Sequence, residues 1–498
     1  MNKKLRKLLR SPRLFFKDML IKRQARSGMT LAPAGGQTCA HRFSVVSAVY
    51  NVGRYLDKYF ETLTSQRVGF KECMQLVMVD DGSTDNSAQV IQRWQRRFPD
   101  NIVYIHKENG GQASARNLGI QQAAHEWVTF IDPDDFVNPD YFQEVARFID
   151  KHASTDLQMI GCHQIFYIEK TDQFRDNHPL RYKFANGDKV FPISNLGNNI
   201  QLSAATAVFR KSVILNHALE FDARVKPNFE DGLFIAQYLA ACPSGSAGFV
   251  KNAVYYYRKR EDGTSTLDTS WQHPGRLGAV LEHGYLGAFA AFDTHEKIPV
   301  HIQRTVLYDI VWIIRHLMDR PQRHAFLTPE QRTRGLELLR EVCARIDVDT
   351  IMQFELAGCW FMHKLAILAS LKGVAPPFQV AYVEAVDEVK DQVLLTVYTG
   401  ASPPVLSYRW KQVDTLPDHL KAVEHRLLDE VFVTAWRCWL PIGGDAETLS
   451  VRLDGIDARI SLGGKLHSKP VPAAELRKHF RSRTPRRRSV PRPSLIHI

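Results

Sequence analysis

The sequence predicts an α/β domain on a mainly parallel sheet, then a helical region, then a small β-sandwich-like domain. Three observations carry this. Between Phe43 and Cys162 short apolar runs alternate with stretches of helical spacing. Residues 275–372 keep helical spacing throughout. Residues 378–465 turn to alternating apolar and polar positions broken by turn residues. The length of 498 residues suits about three domains.

The elements follow in order. FSVVSAV (43–49) reads as a buried strand, Leu56–Ser65 as a helix, and Leu76–Val79 as a strand ending in Asp80-Asp81-Gly82. Ser87–Phe98 is helical, Ile102–Ile105 a strand, Gln112–Ala124 a helix and Trp127–Ile131 a strand. Asp140–Lys151 is a helix and Leu157–Cys162 a strand. Residues 163–255 are mixed, with a helix over Asp231–Ala241 and a strand over Gly248–Tyr257. FQVAYVEAV, QVLLTVYTG, EVFVTAWRCWLPI and LSVRLDGIDARISL supply the later strands. The expected division is 1–40, a basic segment and linker; 41–270, the α/β domain; 271–375, helical; 376–468, β-rich; and 469–498, a basic disordered tail.

The net charge of +12 sits at the ends. Residues 1–26 hold ten Lys and Arg against Asp18, and residues 477–498 hold eight with no acid. The body between is therefore net acidic. Leu5, Leu8, Leu9, Phe15, Phe16, Met19 and Leu20 lie among the first cations. That composition suits an anionic membrane surface; a solvated basic arm or a helix packed on the body is the plainer alternative. No apolar run reaches the ~18 residues of a spanning helix, and no signal-peptide pattern opens the chain. Seven scattered cysteines without a C-x-x-C pair read as reduced thiols of a cytosolic-type compartment. An acidic body without a nucleic-acid motif argues against nucleic acid as partner.

The chemistry-bearing clusters fall at strand ends, where open parallel sheets bind ligands. Asp81 follows a strand and precedes Gly82, so its carboxylate can meet a base N–H; the alternative is an Asx turn or a helix cap. Asp85 is the expected cap of the next helix. Gly110 and Gly111 let backbone approach a ligand, and Arg116 on the following helix can reach a phosphate or the FIDPDD loop. Asp132, Asp134 and Asp135 crowd into four residues. Hard divalent cations, Mg²⁺ or Mn²⁺, take such carboxylates together with substrate phosphates. The alternative is a polar turn with Pro133 at its corner. In KPNFEDGLFIAQYL (226–239), Glu230-Asp231 opens a helix whose N-terminus favours an ionised acid; simple capping is the alternative.

VVSAVYN (45–51), LVMVDDGSTDNS (76–87), KENGGQASARNLGI (107–120) and FIDPDD (130–135) together resemble the nucleotide-sugar half of family 2 glycosyltransferases with the GT-A fold. The resemblance covers about residues 42–265. It implies that Ala48, Tyr50, Asn51, Asp81, Asn109, Arg116 and Asp132 line the nucleotide-sugar site. It implies Asp134 as the direct ligand of Mn²⁺ or Mg²⁺ bridging the diphosphate, with Asp135 left for support. Asp231 is implied as the general base. In YYYRKREDGTST (255–266), Arg258 or Arg260, with Ser265, are candidates for the diphosphate. Many members have Pro where Ala48 stands.

The implied activity is inverting, metal-dependent transfer of a sugar, most simply from a UDP-linked donor, to a glycan or lipid-linked acceptor. The leader and the three-part architecture resemble bacterial capsular polysaccharide and wall teichoic acid glycosyltransferases. That places the chain in the cytoplasm, on the inner face of the cytoplasmic membrane. Residues 271–468 carry no motif; polymer binding, homo-oligomerisation through the C-terminal domain and partner docking are all open. Trp436 and Trp439 are candidates for sugar stacking, though Trp is more often core. Rival readings are a catalytically silent scaffold of the same fold, or nucleic-acid binding through the basic tails.

Overall fold

The computed structural model describes Met19, Lys22 and residues 40–263, 269–411 and 413–481. The chain divides into two compact units, Met1–Asp309 with Phe326–Leu338, and Ile310–Ala325 with Leu339–Ile498.

The first unit is built on β1 (Phe43–Val49), β2 (Met74–Asp80), β3 (Ile102–His106), β4 (Trp127–Thr129), β5 (Phe136–Val137), β6 (Leu157–Ile168), β7 (Gln173–Arg175), β8 (Lys189–Pro192), β9 (Ala207–Arg210) and β10 (Ser246–Lys259). Their order is β3-β2-β1-β4-β9-β6-β10-β5, with β7 on β6 and β8 on β10. β1 to β4 run parallel. β9 is antiparallel to both β4 and β6. The chain leaves β1 toward β2 and β3, then returns to its other side as β4. That reversal opens a crevice at the carboxyl ends of β1 and β4.

The parallel strands are apolar because both faces are covered; β1 and β2 are buried along nearly their whole length. The covering helices are α1 (Gly53–Thr64), α2 (Ser87–Arg97), α3 (Gln112–Gln122), α4 (Tyr141–Lys151) and α5 (Glu230–Ala241). α1 buries Tyr55, Leu56, Tyr59, Phe60 and Leu63, a helical stripe. α3 lies close on the sheet. A Cβ at Gly119 would stand 2.3 Å from Val46 Cγ1. This approach carries Arg116, one turn earlier, into the interior, where it is 2% exposed.

The sequence reading runs β4 two residues too long and stops β6 at Cys162. β6 continues to Ile168 because His163–Ile168 pair with β10 and its last three residues with β7. The short strands β5 and β7 to β9 give no periodic signal in the sequence.

The division also differs from the expected boundary at residue 270. Arg276 donates to Asn228 Oδ1 at 2.5 Å and to Asp309 Oδ1 at 2.6 Å. Tyr285 donates to Asp309 Oδ2 at 2.5 Å, and its ring meets Phe229 edge-on at 4.6 Å. These contacts tie the helical residues up to Asp309 to the segment that opens α5.

The second unit carries β11 (Gln379–Asp387), β12 (Gln392–Thr399), β13 (Leu406–Arg409), β14 (Lys421–Leu427), β15 (Glu430–Pro441), β16 (Thr448–Leu453), β17 (Ile456–Leu462), β18 (Lys465–His467) and β19 (Val471–Pro472). β17 gives Ile456 and Asp457 to β16 and Ala458–Leu462 to β11, the latter parallel. One core joins Leu406, Val451 and Leu453 with Val393, Leu395 and Leu440. The result is sandwich-like, as predicted, but with a shared strand and one parallel pair. Asp454 and Gly455, both at positive φ, form the tight turn between β16 and β17.

The expected disorder from residue 469 is corrected in part. Ala473–Arg481 is a helix. Its Leu476 joins the core, Phe480 packs against it, and Arg477 donates to Asp391 Oδ1 at 2.5 Å. The Leu476/Phe480 spacing is an i,i+4 apolar pair inside a basic run, which net charge alone hides. Residues 482–498 lie outside the described residues, as does the basic segment 1–26 apart from Met19 and Lys22. The six described cysteines are buried and unpaired. No helix among the described residues is long and apolar enough to cross a membrane.

Candidate active site

The crevice brings the strand-end clusters together. Asn51, at φ 52°, accepts from Thr84 N at 2.8 Å and so holds the DGSTD turn. Asp80 is buried and occupied by Ser83 N at 2.9 Å and the Tyr104 hydroxyl at 3.0 Å. Asp85 accepts from Ser87 N and Gly53 N, each at 2.9 Å. It thereby serves the N-termini of α2 and α1 together, a fuller version of the predicted cap.

Asp81 is buried beneath the glycine loop. Its Oδ1 accepts from Lys107 Nζ at 2.6 Å and Gly110 N at 2.9 Å, and its Oδ2 from Gly111 N at 2.7 Å. The carboxylate therefore fixes the KENGG loop at the crevice. Among the described groups its Oδ2 keeps acceptor capacity for one further donor. Tyr50 is half-exposed and Asn109 exposed at the same rim. Ala48 is partly buried in β1. Lys107 was not singled out by the sequence; a cation beside a buried acid is visible only once the loop is folded.

Arg116 is the hub. Its guanidinium donates to Asp132 Oδ1 at 2.9 Å and to Asp231 Oδ1 at 2.6 Å, with Glu230 Oε1 at 3.8 Å. Burial works against its charge, but Asp231, Asp132 and Glu230 outweigh that and raise its pKa further. One face lies 5.1 Å from the Phe221 ring centroid. Phe221 stacks on Phe234 at 4.2 Å, and Phe130 meets both edge-on. Phe130 is the first residue of FIDPDD and Phe234 follows Asp231 by one turn. The same aromatic cluster thus fixes both acid-bearing segments. The resemblance assigns Arg116 to the nucleotide; the structure shows it joining the two halves of the site.

The three acids of FIDPDD separate cleanly. Asp135 is buried, accepting from the Tyr255 hydroxyl and from Arg258 N, both at 2.6 Å. It supports the loop against β10, as expected of the third acid, without capping a helix. Asp134 Oδ2 accepts from Arg260 Nε at 2.8 Å. Asp132 is pushed up to about 6 by burial, helped by Asp134 and Asp231 and opposed by Arg116.

Arg258 and Arg260, the alternatives named for the diphosphate, are placed differently. Arg258 donates to Asp134 O at 2.6 Å and Glu169 Oε1 at 2.9 Å, walled by Tyr55, Phe136 and Tyr167. It is buried and braces the loop from behind. Arg260 pairs with the Asp134 carboxylate on the crevice side of the loop. Ser265 lies outside the described residues.

Asp231 sits in the first turn of α5, its Oδ2 accepting from Ala204 N at 2.8 Å. With Arg116 on Oδ1, the carboxylate is held at both oxygens yet keeps 19% side-chain exposure. Beside it, Glu230 is pushed up to about 7 by burial, with Asp231 adding and Arg116 opposing. The folded chain therefore holds a proton there that an unperturbed carboxyl releases near 4.5. Stability from this group is full below pH 4.5 and falls as pH rises toward 7. Glu230→Gln should gain stability over the natural chain as pH rises from 5 to 8. Paired thermal melts read this; a Tm difference that does not change with pH contradicts it.

A hard cation such as Mg²⁺ or Mn²⁺ takes oxygen ligands. Among the described residues Asp132 Oδ2 and Asp134 Oδ1 carry no hydrogen bond, and no three His, Cys, Asp or Glu side chains converge. Asp134, with Asp132 beside it, is the carboxylate that would hold Mg²⁺ or Mn²⁺, and with so few protein ligands donor phosphates would supply others.

A mixed sheet with its crevice at a strand reversal, an acidic D-x-D loop and a carboxylate at a facing helix N-terminus define a nucleotide-sugar transferase class of fold. Residues 44–214 match the model of glycosyl transferase family 2. It is 30% identical over 324 residues to the minor teichoic acid biosynthesis protein GgaB of Bacillus subtilis strain 168, covering 64% of this chain and 34% of that one. It is 28% identical over 271 residues to GgaA of the same strain, covering 54% and 58%. It also resembles the crystal structure of S. aureus TarS 1–349 in complex with UDP-GlcNAc, at 18% identity and TM-score 0.49, over 66% of this chain and 87% of that one. The chain spans about a third of GgaB and 58% of GgaA.

Proposed function

We propose that the protein is an inverting glycosyltransferase that moves a sugar from a nucleotide donor, most simply UDP-linked, to a hydroxyl of a cell-envelope polymer. The carrying observation is Arg116, which binds Asp132 of the donor side and Asp231 of the acceptor side in one network. Asp231 faces partly to solvent and is the group positioned to take the proton from an attacking hydroxyl. Asp134, with Asp132 beside it on the nucleotide side, would hold a divalent cation, which would offset the negative charge gathering on the departing diphosphate. Arg260 adds a second positive charge on that side. With Asp231 taking the proton, the acceptor hydroxyl attacks the anomeric carbon directly and the nucleoside diphosphate leaves in the same displacement.

The polymer acceptor is supported by relatives whose names place them in teichoic acid biosynthesis. The basic segment 1–26 suits peripheral attachment to an anionic membrane. The test is transfer from UDP-, GDP- and CDP-linked sugars to a polyol-phosphate polymer, with Mn²⁺, with Mg²⁺ and with chelator. The expected result is turnover with one donor class, lost in chelator. Donor binding without turnover on any envelope acceptor would favour a silent scaffold.

A further inference from the structure

Behind Asp231 lies a polar cluster that the proposed chemistry does not use. Lys183 lies in a short 3-10 helix, Pro179–Phe184, and is 4% exposed. Its Nζ donates to Ile200 O at 2.7 Å and to Gln201 Oε1 at 2.8 Å. No carboxylate pairs with it among the described residues, and its amine lies 4.8 Å from the Phe249 ring centroid. Burying an amine this way is costly unless its hydrogen bonds serve the structure. Both of the bonds it makes go to a single segment.

Gln201 passes the restraint on. Its Nε2 donates to Ser203 O at 2.8 Å and to Thr206 Oγ1 at 2.9 Å. The segment thus pinned from inside is the one whose Ala204 N donates to Asp231 Oδ2. Room for the amide comes from β6: a Cβ at Gly161 would lie 2.9 Å from Gln201 Oε1. The path from Lys183 to the carboxylate is therefore continuous through hydrogen bonds and three residues of backbone.

We propose that Lys183, through Gln201, is a positioning residue for Asp231, holding the Ala204 amide on the carboxylate oxygen that Arg116 leaves free. This rests on the assignment of Asp231 as base. In its absence the 200–206 segment loses its internal anchor, and Asp231 loses one of its two restraints. The carboxylate then turns about its remaining bond to Arg116, and the angle at which it meets an acceptor hydroxyl is no longer fixed. Donor contacts, which lie at the ends of β1, β2 and β4, are untouched.

The test uses the full chain with Lys183→Met, Gln201→Leu and the double variant. Hydrogen exchange over residues 200–206 and titration of the UDP-sugar are read beside turnover. The expected result is faster exchange in that segment and unchanged protection of α3. Donor affinity and stoichiometry stay unchanged, and kcat falls about 10–100-fold. The double variant should be no worse than the more affected single one, because both act through one path. Unchanged exchange at 200–206, or a kcat loss that merely tracks lost donor-binding stoichiometry, overturns the proposal. Should Lys183→Met fail to fold, Gln201→Leu carries the same expectations alone. Failure of the transferase reading is distinguishable: the natural chain would then show no turnover, while exchange at 200–206 would still report the anchor.

Discussion

Asp231→Asn is expected to lower turnover by about 10²–10⁴-fold while leaving donor affinity unchanged. The substitution keeps the shape and the hydrogen bond from Ala204 N. It removes the charge that accepts a proton and that pairs with Arg116. Asp134→Ala should also abolish transfer, but through the donor: its carboxylate is the proposed cation ligand, so metal-dependent nucleotide binding weakens as well. Calorimetric titration of the donor, with and without Mn²⁺, separates the two variants. Near-normal turnover in both would mean that the site lies elsewhere.

The second large effect is expected from Arg116→Met. The methionine fills much of the slot but leaves Asp132, Asp231 and Glu230 without their shared cation. Breaking a buried ion pair by removing one partner costs about 3–5 kcal/mol. Here three acids lose the same guanidinium, so the variant should melt well below the natural chain at neutral pH. Lowering the pH toward 5 should narrow the gap, because protonated carboxyls no longer repel. Turnover should fall with stability, and also in the fraction that remains folded, since Asp231 is then held only by Ala204 N. A variant as stable as the natural chain would remove Arg116 from the centre of the site.

Much of the site was legible because its acids sit where strands stop. Asp81, Asp132 and Asp134 follow apolar runs, and a carboxylate after a buried parallel strand has few structural reasons to be there. Asp231 was legible from its place at a helix start. The pairing of these groups was not. Nothing in the spacing of Arg116 says that it spans from Asp132 to Asp231; that depends on Gly119 letting α3 settle against Val46. Arg258 and Arg260 were indistinguishable in sequence because both end one strand. Alternate residues of a strand usually share a face, yet the chain turns at the end of β10. One guanidinium goes behind the loop and the other meets Asp134.

The fold shows the same limit. Long parallel strands declared themselves by composition, whereas β5 and β7 to β9 exist through pairing with β6 and β10 rather than through local preference. The helix Ala473–Arg481 was hidden in a basic run whose Leu476 and Phe480 find a core only once β11 to β19 have assembled. Of the two tryptophans noted for sugar contact, Trp436 donates to Thr399 Oγ1 at 2.7 Å and packs on the core. Trp439 stands 44% exposed.

The account's central claim is a single displacement, with the proton taken by Asp231 and the diphosphate leaving toward Asp134. The anomeric configuration of the newly formed bond tests it most directly. Proton NMR of the product, from a donor of known anomeric configuration, should show inversion at the transferred carbon. Retention would rule out a single in-line displacement and would contradict the account.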